Sequence, residues 1–441
     1  MATTYLTRTG ATPTTSNKYT FSCWVKRGSI GTTETIFRTY SDGSNSAQLI
    51  FDSDDTFAFQ DIVGGTTVTN LKPSNLFRDT GAWMNFIVQV DYTQATAADR
   101  AKIFINGAEV SYSATTVQSQ NGASMLNTAN NNALGSNRSN SSHYFTGSMS
   151  QVNFIDGTAY PATAFGSVNA TSGIWVANSG PTVTYGNNGF FLDMANSSDM
   201  GNDVSGNAND FTVGGGTVTQ MEDTPDNNFA TWNPLVQQSS GFVLSNGNTT
   251  ADNTNDTWRS VYSTLAPSVG KYYFECKIVN QLQTPRSIIG VCSTAQASNS
   301  SARLGYEGTN AYAYGSDGNK INNGTNTSYG NTFATGDIIS CALDLDNGKI
   351  YFGKNGTWQN SGDPTSGSTG TGSAFNVTLG ESYYFGSASY GNDGIISINS
   401  GNGYFGTTPV SSAGTNASGN GIFEYDVPTG YTALSTKGLN L

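Results

Sequence analysis

Glycine and asparagine interrupt nearly every window of this 441-residue chain before an apolar period of 3.6 can build. Only residues 96–100 read as a helical turn. A chain punctuated in this way orders itself through strand pairing, and its short apolar runs do alternate with a period of two. Disorder is the other fate of a polar chain, and the composition argues against it. Charged residues make up only 11%, yet aromatic residues reach 12%, and side chains of that size bury enough area to offset chain entropy. At ~100–200 residues per domain, the length predicts two domains or three. The expected class is all-β.

One strand plan occurs twice. Tyr19, Phe21, Cys23 and Val25 fall on one face of a strand, with Thr20, Ser22 and Lys26 on the other. Tyr272, Phe274, Cys276 and Ile278 repeat the inward face, with Glu275 and Lys277 expected outward. The letters match as well, Lys18-Tyr19-x-Phe21-x-Cys23 against Lys271-Tyr272-x-Phe274-x-Cys276. A second alternating strand follows each copy, at residues 83–92 and 337–346. Each then leads into a third, Lys102-Ile103-Phe104-Ile105 or Lys349-Ile350-Tyr351-Phe352, which ends on Asn106-Gly107 or Asn355-Gly356. Asn-Gly supplies the two positive φ angles of a type I′ hairpin, so both ends predict tight turns. The first Lys and the hairpin Lys are 102 − 18 = 84 residues apart in one half and 349 − 271 = 78 in the other. Two tandem antiparallel β-sandwiches follow, with expected bounds at 1–172 and 239–441. Residues 173–238, rich in Asn and Gly, read as the junction.

Several functions drop out on counts alone. A net charge of −12 with 19 Lys plus Arg leaves no broad basic footprint, so no nucleic-acid partner is expected. The one histidine, His143, lies in a polar loop without an acid or nucleophile beside it in sequence. Cys23, Cys276, Cys292 and Cys341 form no CxxC pair and read as buried free thiols. No run of 18 apolar residues exists, so membrane insertion is not expected. The first 20 residues lack the apolar stretch of a secretory signal. Synthesis in a reducing cytoplasm is the expectation.

Three resemblances emerge. Gly270-Lys271-Tyr272-Tyr273-Phe274-Glu275, Ile288-Ile289-Gly290-Val291, Tyr312-Ala313-Tyr314 and Asp317-Gly318-Asn319-Lys320 stand in the order of a SPRY domain. Gly336-Asp337-Ile338-Ile339, Ala342-Leu343-Asp344-Leu345-Asp346 and Phe352-Gly353-Lys354-Asn355-Gly356 complete that series over roughly residues 240–400. Phe21-Ser22-Cys23-Trp24-Val25-Lys26-Arg27, Ile103-Phe104-Ile105-Asn106-Gly107 and Phe145-Thr146-Gly147-Ser148-Met149 resemble the concanavalin-like jelly roll of laminin-G domains. The stretch Asp223-Thr224-Pro225-Asp226-Asn227-Asn228-Phe229 and the ending Val427-Pro428-Thr429-Gly430-Tyr431 are similar to segments of tailed-phage virion proteins. That last resemblance implies a structural protein exposed on a bacteriophage particle: a tail-fibre, spike or adhesin subunit. It would bind other virion proteins and a host-surface glycan or receptor, with a homotrimer favoured. A capsid decoration or adaptor protein is the alternative, and a polysaccharide depolymerase the less favoured one.

Catalysis is not expected. Glucanases of the concanavalin-like fold carry carboxylates at i, i+2 and i+4 of one strand, so that alternate side chains reach the scissile bond from one face. Of the seven glutamates only Glu424-Tyr425-Asp426 begins such a series, and Pro428 stands at its third position. Two acidic groups, Asp52/Asp54/Asp55 and Asp193/Asp199/Asp203 with Asp210, are candidate calcium ligands. Neither has DxDxDG spacing, and Asx turns account for both, so no cofactor is expected. Tyr312, Tyr314, Tyr329, Trp358 and Tyr404 lie near Gly/Asn-rich loops. They are the candidate ligand-binding aromatics, since flat rings add contact area at low entropic cost.

Overall fold

Alternation of apolar and polar residues becomes two pairs of antiparallel sheets in the computed structural model, which describes residues 3–137, 142–237, 242–281, 286–293, 303–391 and 394–440. The chain divides into two compact units, residues 1–220 and 221–441.

In the first unit an eight-stranded sheet faces a six-stranded one. Lys18–Arg27 lies inside the six-stranded sheet, between Gly147–Asp156 and Met84–Asp91. Its Tyr19, Phe21, Cys23 and Val25 enter a core with Phe37, Phe51, Phe86 and Phe154. In the second unit Lys271–Asn280 lies between Ile338–Asp344 and Gly394–Asn399. Its Tyr272, Phe274, Cys276 and Ile278 enter a core in which Phe274 stacks on Phe385 at 4.0 Å. The duplicated plan therefore holds at the level of pairing. It extends to an ion pair that anchors each copy: Lys18 lies across from Asp91 at 3.2 Å, and Lys271 across from Asp344 at 3.0 Å. Both Asn-Gly turns have two positive φ angles, 48° and 78°, and join adjacent paired strands.

Expectation and structure part on the outer faces. Lys18–Arg27 and Lys271–Asn280 were expected to be half-buried, but both faces of each are largely covered. Thr20, Ser22 and Lys26 are buried, as is Glu275. In the first unit residues 158–185 fold over the outer face. Trp24, Trp83, Ile87 and Ile155 there pack with Phe165 and Trp175. The Trp175 ring lies so close to Gly107 that a Cβ added there would sit 2.4 Å from it. Gly107 is thus required for its φ of 78° and for the approach of the ring.

Residues 173–220, expected as part of a separate junction, are built into the first unit. Phe190–Leu192 extends the six-stranded sheet beside Gly147–Asp156, and Thr212–Gly215 extends the eight-stranded sheet beside Tyr5–Thr9. The cause is apolar: Phe190, Leu192 and Phe211 are spaced among Asn and Gly but all enter the core. From Met221 onward the chain belongs to the second unit, where Trp232–Gln237 pairs with Trp258–Ser263. Among the described residues no helix is long and apolar enough to cross a membrane.

Candidate functional site

The second unit's outer face supplies the site. On Lys271–Asn280 the side chains of Tyr273 and Glu275 point away from the sandwich core, and the chain after Gly394–Asn399 returns as a strap across them. Phe423, Val427, Tyr431 and Ala433 of the strap pack with Tyr273, Ala342 and Tyr351 of the sheet. Thr432–Ala433 adds a short parallel pairing to Tyr272 and Tyr273. Glu275 fastens the strap. Its Oε2 accepts from the Glu424 amide at 2.9 Å and its Oε1 from the Tyr425 amide at 2.9 Å, while the Tyr273 hydroxyl donates to Oε1 at 2.9 Å. Burial pushes this carboxyl up to about 7, outweighing those three bonds, which favour the ionised form.

Where the strap meets the end of the second Asn-Gly hairpin, a cleft of about 440 Å³ opens. Trp358, half-buried at the end of Thr357–Trp358, packs edge-on to Tyr273 with centroids 6.3 Å apart. Pro364, Val427 and Pro428 complete the apolar lining. Two carboxylates line it from opposite segments. The Oδ1 of Asp363 accepts from the amide of Thr365 at 2.9 Å and from its hydroxyl at 2.6 Å. The Oδ1 of Asp426 accepts from the amide and hydroxyl of Thr415 at 2.6 and 2.8 Å. The Thr415 amide and hydroxyl hold the Asp426 carboxyl below the usual carboxylate range. The Tyr431 hydroxyl donates to the Pro364 carbonyl at 3.1 Å and ties the two segments together.

Of the five aromatic candidates only Trp358 lines this cleft. Tyr312, Tyr314 and Tyr329 are corrected to core residues. Ala311–Gly315 is a strand in which the two tyrosines share the inward face, against Phe375, Phe352 and Phe333. The Tyr329 ring closes edge-on over Phe352. The alternation of Tyr312 and Tyr314 with Ala311, Ala313 and Gly315 was the sequence signal for this, small residues on one face and large on the other. Tyr404 is half-buried in the two-residue strand Tyr404–Phe405 and lies outside the cleft.

The acidic candidates are not brought together as a metal site. Asp203 accepts from the amides of Phe191, Ser205 and Asn209 at 2.8–2.9 Å, and Asp210 from the Asp203 amide at 2.9 Å. Asp193 and Asp199 each close an Asx turn, to Ala195 and Gly201. Asp52 and Asp54 pair with Lys72, and Asp55 with Arg27 and Arg78. Among the described residues no group of three or more His, Cys, Asp or Glu is arranged to hold a metal ion. The four cysteines are buried and free, and burial pushes their thiols up. His143 is exposed, with Asn137 Nδ2 3.3 Å from its Nδ1.

Sequence reasoning missed Asp363 and Pro364, and met Asp426 only within Glu424-Tyr425-Asp426, where it was set aside as a catalytic series. Asp-Pro at 363–364 is a turn signal, but nothing in the sequence brings it to residues 415–429.

A concanavalin A-like domain is followed in this chain by a SPRY domain. Residues 2–163 match the family model of the concanavalin A-like lectin/glucanases superfamily, and residues 271–375 match that of the SPRY domain. Curated relatives include Ran-binding protein 9 of Danio rerio, 35% identical over 94 residues, which are 21% of this chain and 15% of that protein. Ran-binding protein 9 of Homo sapiens is 36% identical over 94 residues, 12% of its length. The Ran-binding proteins 9/10 homologue of Drosophila melanogaster is 33% identical over 93 residues, 10% of its length. The chain thus spans less than a sixth of the length of these relatives. Among solved structures, the SPRY domain of human HERC1 aligns with 38% of this chain and 96% of its own, at 20% identity and TM-score 0.31. Stonustoxin aligns with 39% of this chain and 27% of its own, at 18% identity and TM-score 0.30.

These findings correct the expected function. SPRY relatives include Ran-binding proteins 9 and 10 of animals, and nothing in the comparisons supports a structural protein of a bacteriophage particle, whether fibre, spike or decoration. The junction and tail segments that suggested one are explained by their place in the fold. Asp223 accepts from the Phe229 amide at 3.4 Å, and the ending from Val427 onward is the strap.

Proposed function

We propose that this chain is a non-catalytic binding protein, and that its second unit recognises a protein partner at the Trp358 cleft. SPRY domains mediate protein–protein interaction, and this one carries a cleft with the features of a docking point. The observation that supports the reading most is the pairing of a half-buried tryptophan with two carboxylates, Asp363 fixed in its own turn and Asp426 fixed across to Thr415. Aromatic anchors on a rigid frame concentrate binding energy, because little side-chain freedom is lost on contact.

The test is selection of a random peptide library on the immobilised full chain. Repeated rounds are expected to converge on a consensus that a denatured sample of the chain does not select. Failure to converge overturns the reading.

A further inference from the structure

We infer that the Trp358 cleft takes the cationic side chain of an arginine or lysine in a peptide segment of the partner. This rests on the protein-binding reading above and names the chemistry that the cleft selects. A guanidinium or ammonium group offers only donors, and the cleft offers an aromatic ring with two carboxylates. Each carboxylate uses its Oδ1 on its own threonine, and neither Oδ2 has a hydrogen-bond partner among the described residues. The bonds to Oδ1 set the carboxylate planes in advance, so little order is lost when a cation arrives.

No Lys, Arg or His lines the cleft to neutralise these charges. Lys271, whose ammonium stands 5.9 Å from the Tyr431 ring beside the strap, is held by Asp344 at 3.0 Å. A neutral sugar would also stack on the indole. Its hydroxyls could donate to the two carboxylates, but a neutral sugar brings no charge to offset theirs, whereas a cation both donates to them and neutralises them. The net charge of −12 draws basic segments toward the chain generally, so the specific contribution must be separated from the diffuse one.

The experiment is a titration of fluorescein-labelled tetra-arginine amide into the full chain at low salt, read by polarisation. Asp363→Asn with Asp426→Asn keeps both Oδ1 acceptors, and with them the turn at Thr365 and the contact to Thr415, while removing two charges. Asp226→Asn with Glu307→Gln removes two exposed charges elsewhere in the same unit and serves as the matched control. Loss of two charge-assisted contacts beside an aromatic ring predicts weakening of about tenfold or more in the cleft variant, against less than about twofold in the control. Trp358→Leu weakens binding further, and an uncharged tetraglycine amide does not bind.

Equal weakening in the two double variants assigns the attraction to net charge and overturns the inference. So does competition by an uncharged oligosaccharide as strong as that of unlabelled tetra-arginine. If tetra-arginine fails to bind while the peptide library still converges, the inference fails and the protein-binding reading stands. If neither gives a signal, both fall.

Discussion

Glu275→Ala is expected to lower the stability of the second unit by about 3–5 kcal/mol. It leaves the Glu424 and Tyr425 amides without their acceptor, at ~1–3 kcal/mol for each orphaned group, and opens a void beside the Tyr273 hydroxyl, which keeps Ser340 Oγ at 2.9 Å. The loss should appear in hydrogen exchange as faster exchange at Glu424 and Tyr425 and along the strap, because those amides are the ones Glu275 holds. Glu275→Gln keeps one acceptor oxygen and should lose less. The glutamine variant also isolates a pH effect. In the folded chain the Glu275 carboxyl sits at about 7 rather than the ordinary 4.5. A raised folded value means the group favours folding fully below about 4.5 and loses that contribution as pH rises through about 7. The difference is worth about 3 kcal/mol across that window. Wild type should therefore be more stable to urea near pH 5 than near pH 8, with a shallower slope for Glu275→Gln. Asp61 of the first unit, raised by burial to about 6, acts in the same direction over a slightly lower window. A wild-type stability that rises from pH 5 to pH 8 would contradict this account of Glu275.

The second large effect belongs to the first unit. Arg27 is 1% exposed and lies among Asp55 at 3.2 Å, Glu34 at 3.7 Å and the Phe51 ring at 4.3 Å. Arg27→Met removes the only cation paired with Glu34 among the described residues, whereas Asp55 keeps Arg78 at 2.9 Å and the Gly31 amide at 2.7 Å. Burial already pushes the Glu34 carboxyl up, so loss of its partner forces it to take a proton or to remain an uncompensated charge. Breaking a buried pair from one side costs about 3–5 kcal/mol. Replacing both charges, as in Arg27→Met with Glu34→Gln, should recover part of that loss, since a buried pair roughly breaks even with a neutral one of similar volume. The double variant being less stable than Arg27→Met would show that Glu34 acts through its bonds to Ser29 and Thr146 rather than through Arg27.

Both residues show what the sequence made legible. The alternation at 19–25 and 272–278 identified the two central strands and their inward faces. The Asn-Gly pairs identified the hairpins that end each plan, and period-two pairing carried those features directly. The coverings were not legible. Residues 158–185 and 411–433 have no period of their own, because they bury scattered side chains such as Trp175, Phe423 and Tyr431 through turns rather than through a repeating face. An alternating strand under such a cover looks half-exposed. Glu275 therefore reads as solvent-facing in the sequence, although it is 0% exposed. The same limit hid the cleft: Trp358 was named, but its partners come from 363–365 and 415–429 and meet it only through the strap.

Hydrogen exchange of the full chain, with and without the peptide consensus that it selects, tests the central claim most directly. Recognition at the cleft predicts slowed exchange confined to residues 358–365 and 415–429. Protection elsewhere, for instance in the hairpin of Asn319–Asn322 and Thr325–Ser328, with none at the cleft, would contradict it.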